Sequence, residues 1–434
     1  MNDTLFALST PPGRSGIAVI RATGPLCGPV CASLAGMLPK PRQAKLAHLC
    51  FAGDSLDHAL VLWFPAPASF TGEDMFELHL HGGRAVIDGV SKALLAQGLY
   101  PAGPGDFTKR AFQNGKLDLT QAEALADLID AETSFQRRQA LRQEGGALSR
   151  RVETWRGCLV SALARQEALI DFADDELPEG LSGHISQEVV GLIGDITPYL
   201  EDRRCGERLR EGLVVVILGA PNAGKSSLMN ALAGREVAIV SEHAGTTRDV
   251  LEVHLDLGGY PVTILDTAGL REASEGVEAE GIRRALARAE TADLKLVLFD
   301  AQIWPRRDPA SQALLNERSI AVVSRADLAL DSSDDDILRI SVRTGRGLPE
   351  LLTAIEQRLA MMVAGGETAL ITRARHRLAL QETVEALERF AGAVTFDLAA
   401  EELRIAARAL GRIAGKVSVE ELLDQIFSEF CIGK

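Results

Sequence analysis

One eight-residue string constrains this chain more than any other: Gly219-Ala-Pro-Asn-Ala-Gly-Lys-Ser226. It matches G-x-x-x-x-G-K-[ST] and stands between a continuous apolar run at 213–218 and a stretch with helical spacing, the strand–loop–helix context that a phosphate-binding loop needs. In such a loop the glycines let backbone N–H groups close around phosphate oxygens, and the helix N-terminus adds the positive end of its dipole. The match assigns Asn222, Ala223, Gly224, Lys225, Ser226 and Ser227 to a nucleoside triphosphate, with Lys225 reaching the β/γ oxygens and Ser226 facing Mg²⁺. A glycine-rich turn without a ligand is the competing reading of the string alone.

The surroundings set the fold class. Further short apolar runs at 262–265, 294–299, 320–323 and 337–341 alternate with helical stretches, as in a doubly wound parallel sheet buried on both faces. That places a Ras-like P-loop domain at 212–365. Before it, 118–210 is helical, with Leu119, Ala122, Leu125, Leu128 and Ile129 on one stripe and Val152, Trp155, Leu159 and Leu163 on another. After it, 366–434 is helical again, with Leu378, Leu380, Val384, Leu387 and Phe390 periodic. The nucleotide domain thus reads as an insertion between two segments that form one discontinuous helical bundle. Residues 1–117 mix alternating strands at 16–21, 59–64 and 76–81 with turns, an α+β domain. The whole is a multidomain α/β chain.

With 434 residues, two or three domains are expected. Forty-six Lys+Arg against sixty Asp+Glu give a formal net charge of −14, so no chain-wide attraction to nucleic acid or anionic membrane exists and RNA binding must be local. No apolar run approaches the roughly 18 residues of a membrane span, and the start Met-Asn-Asp-Thr-Leu lacks a secretory pattern, which points to the cytoplasm. The six cysteines lack C-x-x-C pairing and read as reduced structural thiols. Cys431, in Cys-Ile-Gly-Lys, is the exception to weigh, although Gly433 argues against a prenylation box.

Downstream motifs point to guanine. Asp266-Thr-Ala-Gly269 closes the run 262–265, so that Asp266 can hold Mg²⁺ through water and the Gly269 N–H can meet the γ-phosphate, with Thr267 and Ala268 completing the turn. In Gly245-Thr-Thr-Arg-Asp249, Thr247 is the candidate second hydroxyl on Mg²⁺, engaged only when the γ-phosphate is present, which makes this loop a switch. Asp327 of Ser324-Arg-Ala-Asp327 suits the guanine N1 and N2 donors, and the Val342 N–H of Ser341-Val-Arg343 suits O6.

The base-reading element departs from the usual Asn/Thr-Lys-x-Asp. Ser324 stands where an amide normally braces the phosphate loop, whereas Arg325 can still lay its stem along the purine. GTP preference is expected to survive, with affinity as the property at risk. Leu270 occupies the position where many small GTPases carry a water-orienting glutamine, so another residue must serve. Glu278 is the candidate, an exposed helix-face glutamate being the competing reading. Asn222 and the loop 245–247 could hold a monovalent cation at the β/γ bridge, where charge develops.

Segments outside this domain carry a resemblance. Asp3-Thr-Leu-Phe-Ala-Leu-Ser-Thr-Pro-Pro-Gly-Arg-Ser-Gly-Ile-Ala-Val-Ile-Arg21, Ser69-Phe-Thr-Gly-Glu-Asp74, His79-Leu-His-Gly-Gly83, Pro104-Gly-Asp-Phe-Thr-Lys-Arg-Ala-Phe112, Asn114-Gly-Lys-Leu-Asp-Leu-Thr-Gln-Ala-Glu123 and Phe430-Cys-Ile-Gly-Lys434 resemble the MnmE (TrmE) family of tRNA modification GTPases over the full chain. The resemblance implies an N-terminal domain that binds tetrahydrofolate, such as 5-formyltetrahydrofolate, and dimerises, a helical domain from both flanks, and an inserted G domain. It implies GTP hydrolysis activated by K⁺-dependent dimerisation of the G domains. It also implies a homodimer that joins the FAD-dependent partner MnmG in a heterotetramer, with no membrane role. Together they add aminomethyl or carboxymethylaminomethyl groups to carbon 5 of the wobble uridine of tRNA. Matched by motif, Asn222, Ser241, His243 and Thr246 fall on K⁺, Ser226 and Thr247 on Mg²⁺, and Glu278 on the catalytic glutamate. Ser241 and Thr246 thereby join the nucleotide site. Arg21, Glu77, Lys116 and Lys434 surround the folate, and Cys431 matches the C-terminal cysteine.

Two patterns carry rival readings. Glu77, His79 and His81 alternate on one strand face and could ligate a metal, but without a fourth ligand folate contact or packing is the stronger reading. Arg373, Arg375 and Arg377 read as a solvated helix face or as a tRNA contact. A ribosome-assembly GTPase is disfavoured by the single phosphate loop and the lack of an RNA-clamping G-x-x-G. A folate scaffold with a vestigial GTPase is disfavoured by intact Lys225, Ser226, Thr247 and Asp266.

Overall fold

The computed structural model describes residues 3–171, 180–235, 237–239, 252–266, 292–328, 337–417, 423, 426–428 and 430–433, apart from the side chains of Asp266 and Glu367. The chain divides into two compact units, 1–126 with 410–434, and 127–409.

The first unit is built on six strands, β1 (Leu5–Leu8), β2 (Ser15–Thr23), β3 (Lys45–Phe51), β4 (Asp54–Phe64), β5 (Met75–Gly82) and β6 (Tyr100–Pro101), in the order β3-β4-β5-β2-β1-β6. All neighbours are antiparallel except β1 and β6. Strand side chains alternate between faces, so Ile20, Phe76 and Leu78 enter a core with Val30, Leu34, Val90 and Leu94 of the helices Cys27–Ala35 and Arg84–Ala96. The same alternation turns Arg21, Glu77 and His79 to the opposite face. A second cluster joins Leu119 and Ala122 to Ile426, Phe427 and Phe430, which brings the C-terminal residues into this unit.

The second unit holds the other sheet: β7 (Leu213–Gly219), β8 (Glu252–Leu257), β9 (Tyr260–Asp266), β10 (Leu294–Asp300), β11 (Ser319–Ser324) and β12 (Leu338–Arg339), ordered β12-β11-β10-β7-β9-β8. All pairs are parallel except the β8–β9 hairpin, whose Gly258 and Gly259 have φ of 62° and 95°, as a two-residue turn with both centres left-handed demands. In β7, Val215 and Ile217 enter one core while Val216 and Leu218 enter another, which explains the unbroken apolar run. Chain order reverses between β7 and β10, so the C-terminal ends of these strands flank a crevice of the kind where α/β sheets bind ligands.

Helices surround this sheet's entry and exit. Leu181–Leu200 packs against both Ala147–Asp171 and Ala374–Ala391. Trp155, 1% exposed, meets the Tyr199 ring edge-on at 5.3 Å. On Ala374–Ala391 the buried face carries His376, Arg377, Leu380, Thr383, Leu387 and Phe390. Leu378, expected on that stripe, is instead 64% exposed.

Candidate functional site

The loop after β7 closes at the crevice. A Cβ on Gly219 would lie 2.6 Å from the Leu298 carbonyl oxygen of β10, and its φ is +147°, so glycine is required by both contact and conformation. Asn222 and Gly224 are also left-handed, with φ of 62° and 90°, and the helix Lys225–Ala233 begins at once. Left-handed residues of this kind are the conformation in which backbone N–H groups form an anion-binding nest. Lys225 is buried, and its Nζ donates to the carbonyls of Gly219 at 3.0 Å and Ala220 at 2.9 Å. The lysine therefore spans the loop from within.

Ser324, 3% exposed at the end of β11, donates its hydroxyl to the Ala223 carbonyl at 2.6 Å, with the Phe299 carbonyl at 3.2 Å. The hydroxyl thus ties the base-reading strand to the phosphate loop, the brace that the usual amide provides. Ser324→Ala removes the single O–H that these two buried carbonyls share, a loss of about 1–3 kcal/mol. Guanosine diphosphate affinity, measured with a fluorescent analogue, is expected to fall about tenfold for each 1.4 kcal/mol that reaches the bound state. Unchanged affinity would show that the loop needs no brace.

Asp327 sits in the 3-10 turn Ala326–Leu328. Its Oδ1 accepts from the Ser341 hydroxyl at 2.6 Å and its Oδ2 from Arg343 Nε at 2.8 Å. These two partners, Ser341 first, hold its carboxyl below the usual carboxylate range. Arg325, left-handed with φ of 57°, reaches Asp300 Oδ2 at 3.0 Å. Asp300 was not singled out in the sequence, although an acid closing the apolar run 294–299 was its signal. Phosphate loop, Ser324 and the Asp327 group with Ser341, Val342 and Arg343 thus lie along the C-terminal edge of one sheet. Asp266 ends β9 at that edge. Ser241, His243, Thr246, Thr247, Thr267, Ala268, Gly269 and Glu278 lie outside the described residues.

The first unit gathers a second group. Arg21 Nη2 donates to Glu77 Oε1 at 3.0 Å, and Nη1 lies 3.4 Å from the Gly433 carbonyl. Arg21 Nε is buried with no acceptor among the described residues, an opening for a ligand's oxygen or nitrogen. His79 Nε2 lies 3.3 Å from Glu77 Oε2, whereas His81 pairs with Asp57 at 2.7 Å. The three do not converge, and among the described residues no group of three or more His, Cys, Asp or Glu side chains could hold a metal. Lys116 packs its stem near Gly72, where a Cβ would lie 3.1 Å from Lys116 Cε. It makes no hydrogen bond with Arg21 or Glu77 among the described residues, and Lys434 lies outside them. Cys431 is exposed. Cys31 is pushed up to about 12 by burial and Cys27 is raised further, so both stay protonated and inert.

Arg373 and Arg377 do not lie on a solvated face, and Arg375 is half-buried. Arg373 pairs with Asp127 at 2.6 Å, and Arg377 is 8% exposed and fully engaged inside. Their spacing had suggested surface because sequence cannot show which carboxylates wait in the interior.

Residues 119–431 match the family model described as MnmE helical domain, a span that encloses the nucleotide-binding sheet, and residues 4–116 match that of the GTP-binding protein TrmE N-terminus. The tRNA modification GTPase MnmE of Paramagnetospirillum magneticum is 52% identical over 441 residues, covering 100% of both chains. That of Rhodospirillum rubrum is 50% identical over 453 residues, covering 100% of this chain and 99% of the other. That of Parvibaculum lavamentivorans is 51% identical over 442 residues and 100% of both chains. Full-length identity of this order, together with a phosphate loop built from Gly219, Lys225 and the Ser324 brace, means that the chain belongs to the MnmE (TrmE) family of tRNA modification GTPases.

Proposed function

We propose that this GTP hydrolase acts on tRNA in modification of the wobble uridine at carbon 5. The supporting observation is the single edge that carries the phosphate loop, its Ser324 brace and the Asp327 group. On this reading the loop N–H groups and Lys225 hold the phosphates, while Ser226 and Thr247 are the Mg²⁺ ligands and Asp266 acts through water. Asp327 and the Val342 N–H read guanine. Glu278 orients the attacking water in place of Leu270. Asn222, Ser241, His243 and Thr246 hold K⁺, which supplies positive charge at the β/γ bridge.

The domain plan is 1–117 for folate binding and dimerisation, 118–210 with 366–434 for the helical part, and 212–365 for the G domain. The unmet Arg21 Nε, beside Glu77 and the Gly433 carbonyl, fits a ligand rich in acceptors such as a tetrahydrofolate. Bound there, the folate supplies a one-carbon unit. Arg21, Glu77, Lys116 and Lys434 orient it. The chain works as a homodimer in the cytoplasm, with FAD on the partner MnmG. No helix among the described residues is long and apolar enough to cross a membrane.

Turnover of GTP in KCl is expected to exceed that in NaCl at equal ionic strength by about tenfold or more, since one well-placed charge or donor at the transition state is worth that much. Equal rates would remove the K⁺ step while leaving GTP hydrolysis intact. Wobble-uridine analysis of tRNA from a strain lacking the gene tests the pathway: unchanged modification sinks it.

A further inference from the structure

With Arg373 and Arg377 taken up inside, positive charge concentrates elsewhere on the second unit. A cavity of about 570 Å³ is walled by Arg203, Arg204 and Arg208 from the segment that leads into β7, by Arg318 just before β11, and by Arg358 on the helix Leu348–Met362. Met361 and Met362 complete the wall, and no carboxylate belongs to it.

Neutralisation there is incomplete. Arg204 pairs with Glu207 at 2.9 Å and Arg208 with Asp293 at 3.5 Å. Arg358 donates to a backbone carbonyl, that of Glu317, at 3.1 Å. Among the described residues no carboxylate lies within ion-pair distance of Arg203, Arg318 or Arg358. The backbone is strained at the same place: Arg203 and Arg204 are consecutive left-handed residues, with φ of 55° and 60°. Side chains with a Cβ rarely hold that conformation, and such outliers gather where a site needs a fixed geometry.

Position separates this cavity from the nucleotide. The phosphate loop follows the C-terminal end of β7, whereas Arg318 precedes β11 and Asp293, the partner of Arg208, precedes β10. Parallel strands of six or seven residues, as these are, put about 20 Å between the two edges of the sheet. A nucleotide on the loop does not reach the arginines.

The wall contains arginine and no lysine. Planar guanidinium forks match phosphate oxygens two at a time, and methionine stems offer an adaptable apolar surface for ribose and base. A chain with a net charge of −14 repels polyanions at long range, so an RNA ligand needs a local counter-field of this kind. We propose that the arginine cavity is a docking site for the phosphodiester backbone of RNA, remote from the nucleotide loop. The assignment rests on tRNA being the substrate.

The test uses the full chain loaded with guanosine diphosphate, an unmodified tRNA transcript, and fluorescence anisotropy at several KCl concentrations. Arg318→Glu with Arg358→Glu is expected to weaken tRNA binding about tenfold or more and to flatten the salt dependence by roughly 1 per lost phosphate contact. Arg84→Glu, one such charge reversal at a side chain 94% exposed on the other unit, is expected to cost less than about twofold, so that two reversals by net charge alone account for less than about fourfold. If the reversed pair misfolds, as a lost nucleotide affinity would reveal, Arg318→Gln with Arg358→Gln gives the neutral version of the same comparison. Binding by either pair equal to wild type, with the same salt slope, overturns the inference while the tRNA reading stands. Failure of the wild-type chain to bind tRNA overturns both. Tripolyphosphate titrated into the same proteins separates the sources: binding that the variants lose, with tRNA binding unchanged, means a small-phosphate site and overturns the RNA assignment.

Discussion

Asp327→Asn is expected to lower affinity for GTP by about 100-fold to 10,000-fold and to make xanthosine triphosphate the preferred nucleotide. Guanine offers N1–H and N2–H donors to the two carboxylate oxygens, each charge-assisted bond worth about 1.5–3 kcal/mol. Asparagine turns an NH₂ toward one of those donors, so both a bond and a repulsion change sign. Xanthine carries a carbonyl at position 2, which the new NH₂ can meet. The wild-type carboxylate already accepts from Ser341 and Arg343, and it has about four lone-pair directions to share. The Arg343 side chain is 72% exposed and can swing away when the base arrives. Arg343→Ala is accordingly expected to change GTP affinity by less than about threefold.

The pH dependence follows from the same contacts. A carboxyl held below its ordinary range stays ionised across neutral and mildly acidic conditions, and its contribution is lost only as pH falls through that depressed value. Competition between guanosine and xanthosine diphosphates for each protein reads the preference directly. An Asp327→Asn variant that still selects guanine would show that another group reads the base.

How much of this was legible beforehand depended on whether a residue's partners are close in the chain. The strand 213–218 could be read because both its faces are buried, and the phosphate loop because Gly219, Gly224 and Lys225 are fixed by neighbours within a few residues. Strand β8 was missed: Glu252–Leu257 alternates polar and apolar side chains at the sheet edge, so it lacks the apolar run that marked its neighbours. β3 was missed for the same reason, its residues being mostly exposed. The hydroxyl brace at Ser324 joins positions 101 residues apart, and spacing alone showed only that an amide was absent. The resemblance groups Arg21 and Glu77 with Lys116 and Lys434, yet the Arg21–Glu77 pairing and the Gly433 carbonyl beside it, 412 residues from Arg21, could come only from the fold. Leu378 was misplaced by one step of the helix because Arg377, counted as polar, takes the inner position.

Arg377→Ala is expected to destabilise the second unit by about 3–5 kcal/mol, the cost of leaving a buried carboxylate without its partner. Arg377 Nε donates to Glu207 Oε2 at 3.0 Å, Nη2 to Asp202 Oδ1 at 2.7 Å, and Nη1 to the Leu200 carbonyl at 2.8 Å. One guanidinium therefore satisfies the last carbonyl of the helix Leu181–Leu200, where a cation also meets the negative end of the dipole, and two carboxylates beyond it. Glu207 is 1% exposed and its Oε1 has no partner among the described residues, so after truncation its charge would rest on Arg204 alone. Lysine cannot replace the fork: its donors all leave one shorter-reaching nitrogen, whereas these acceptors are met by three separate nitrogens of the planar guanidinium, so Arg377→Lys is expected to lose more than half of the stabilisation. Pairing Arg377→Met with Glu207→Met removes the more deeply buried charge together with its partner and leaves only Asp202, 18% exposed, to turn to water, so it is expected to cost less than Arg377→Ala alone. Thermal melts follow the series, with a drop on the order of 10 °C for the alanine variant. A loss under about 1 kcal/mol would mean that water enters and solvates Glu207. Asp202 and Arg204 lie in the turn that presents Arg203, and Glu207 lies on the helix Cys205–Glu211 just after it, so the alanine variant should also weaken tRNA binding at temperatures well below its melt, whereas the double methionine variant, with Arg204 freed from Glu207, should weaken it less.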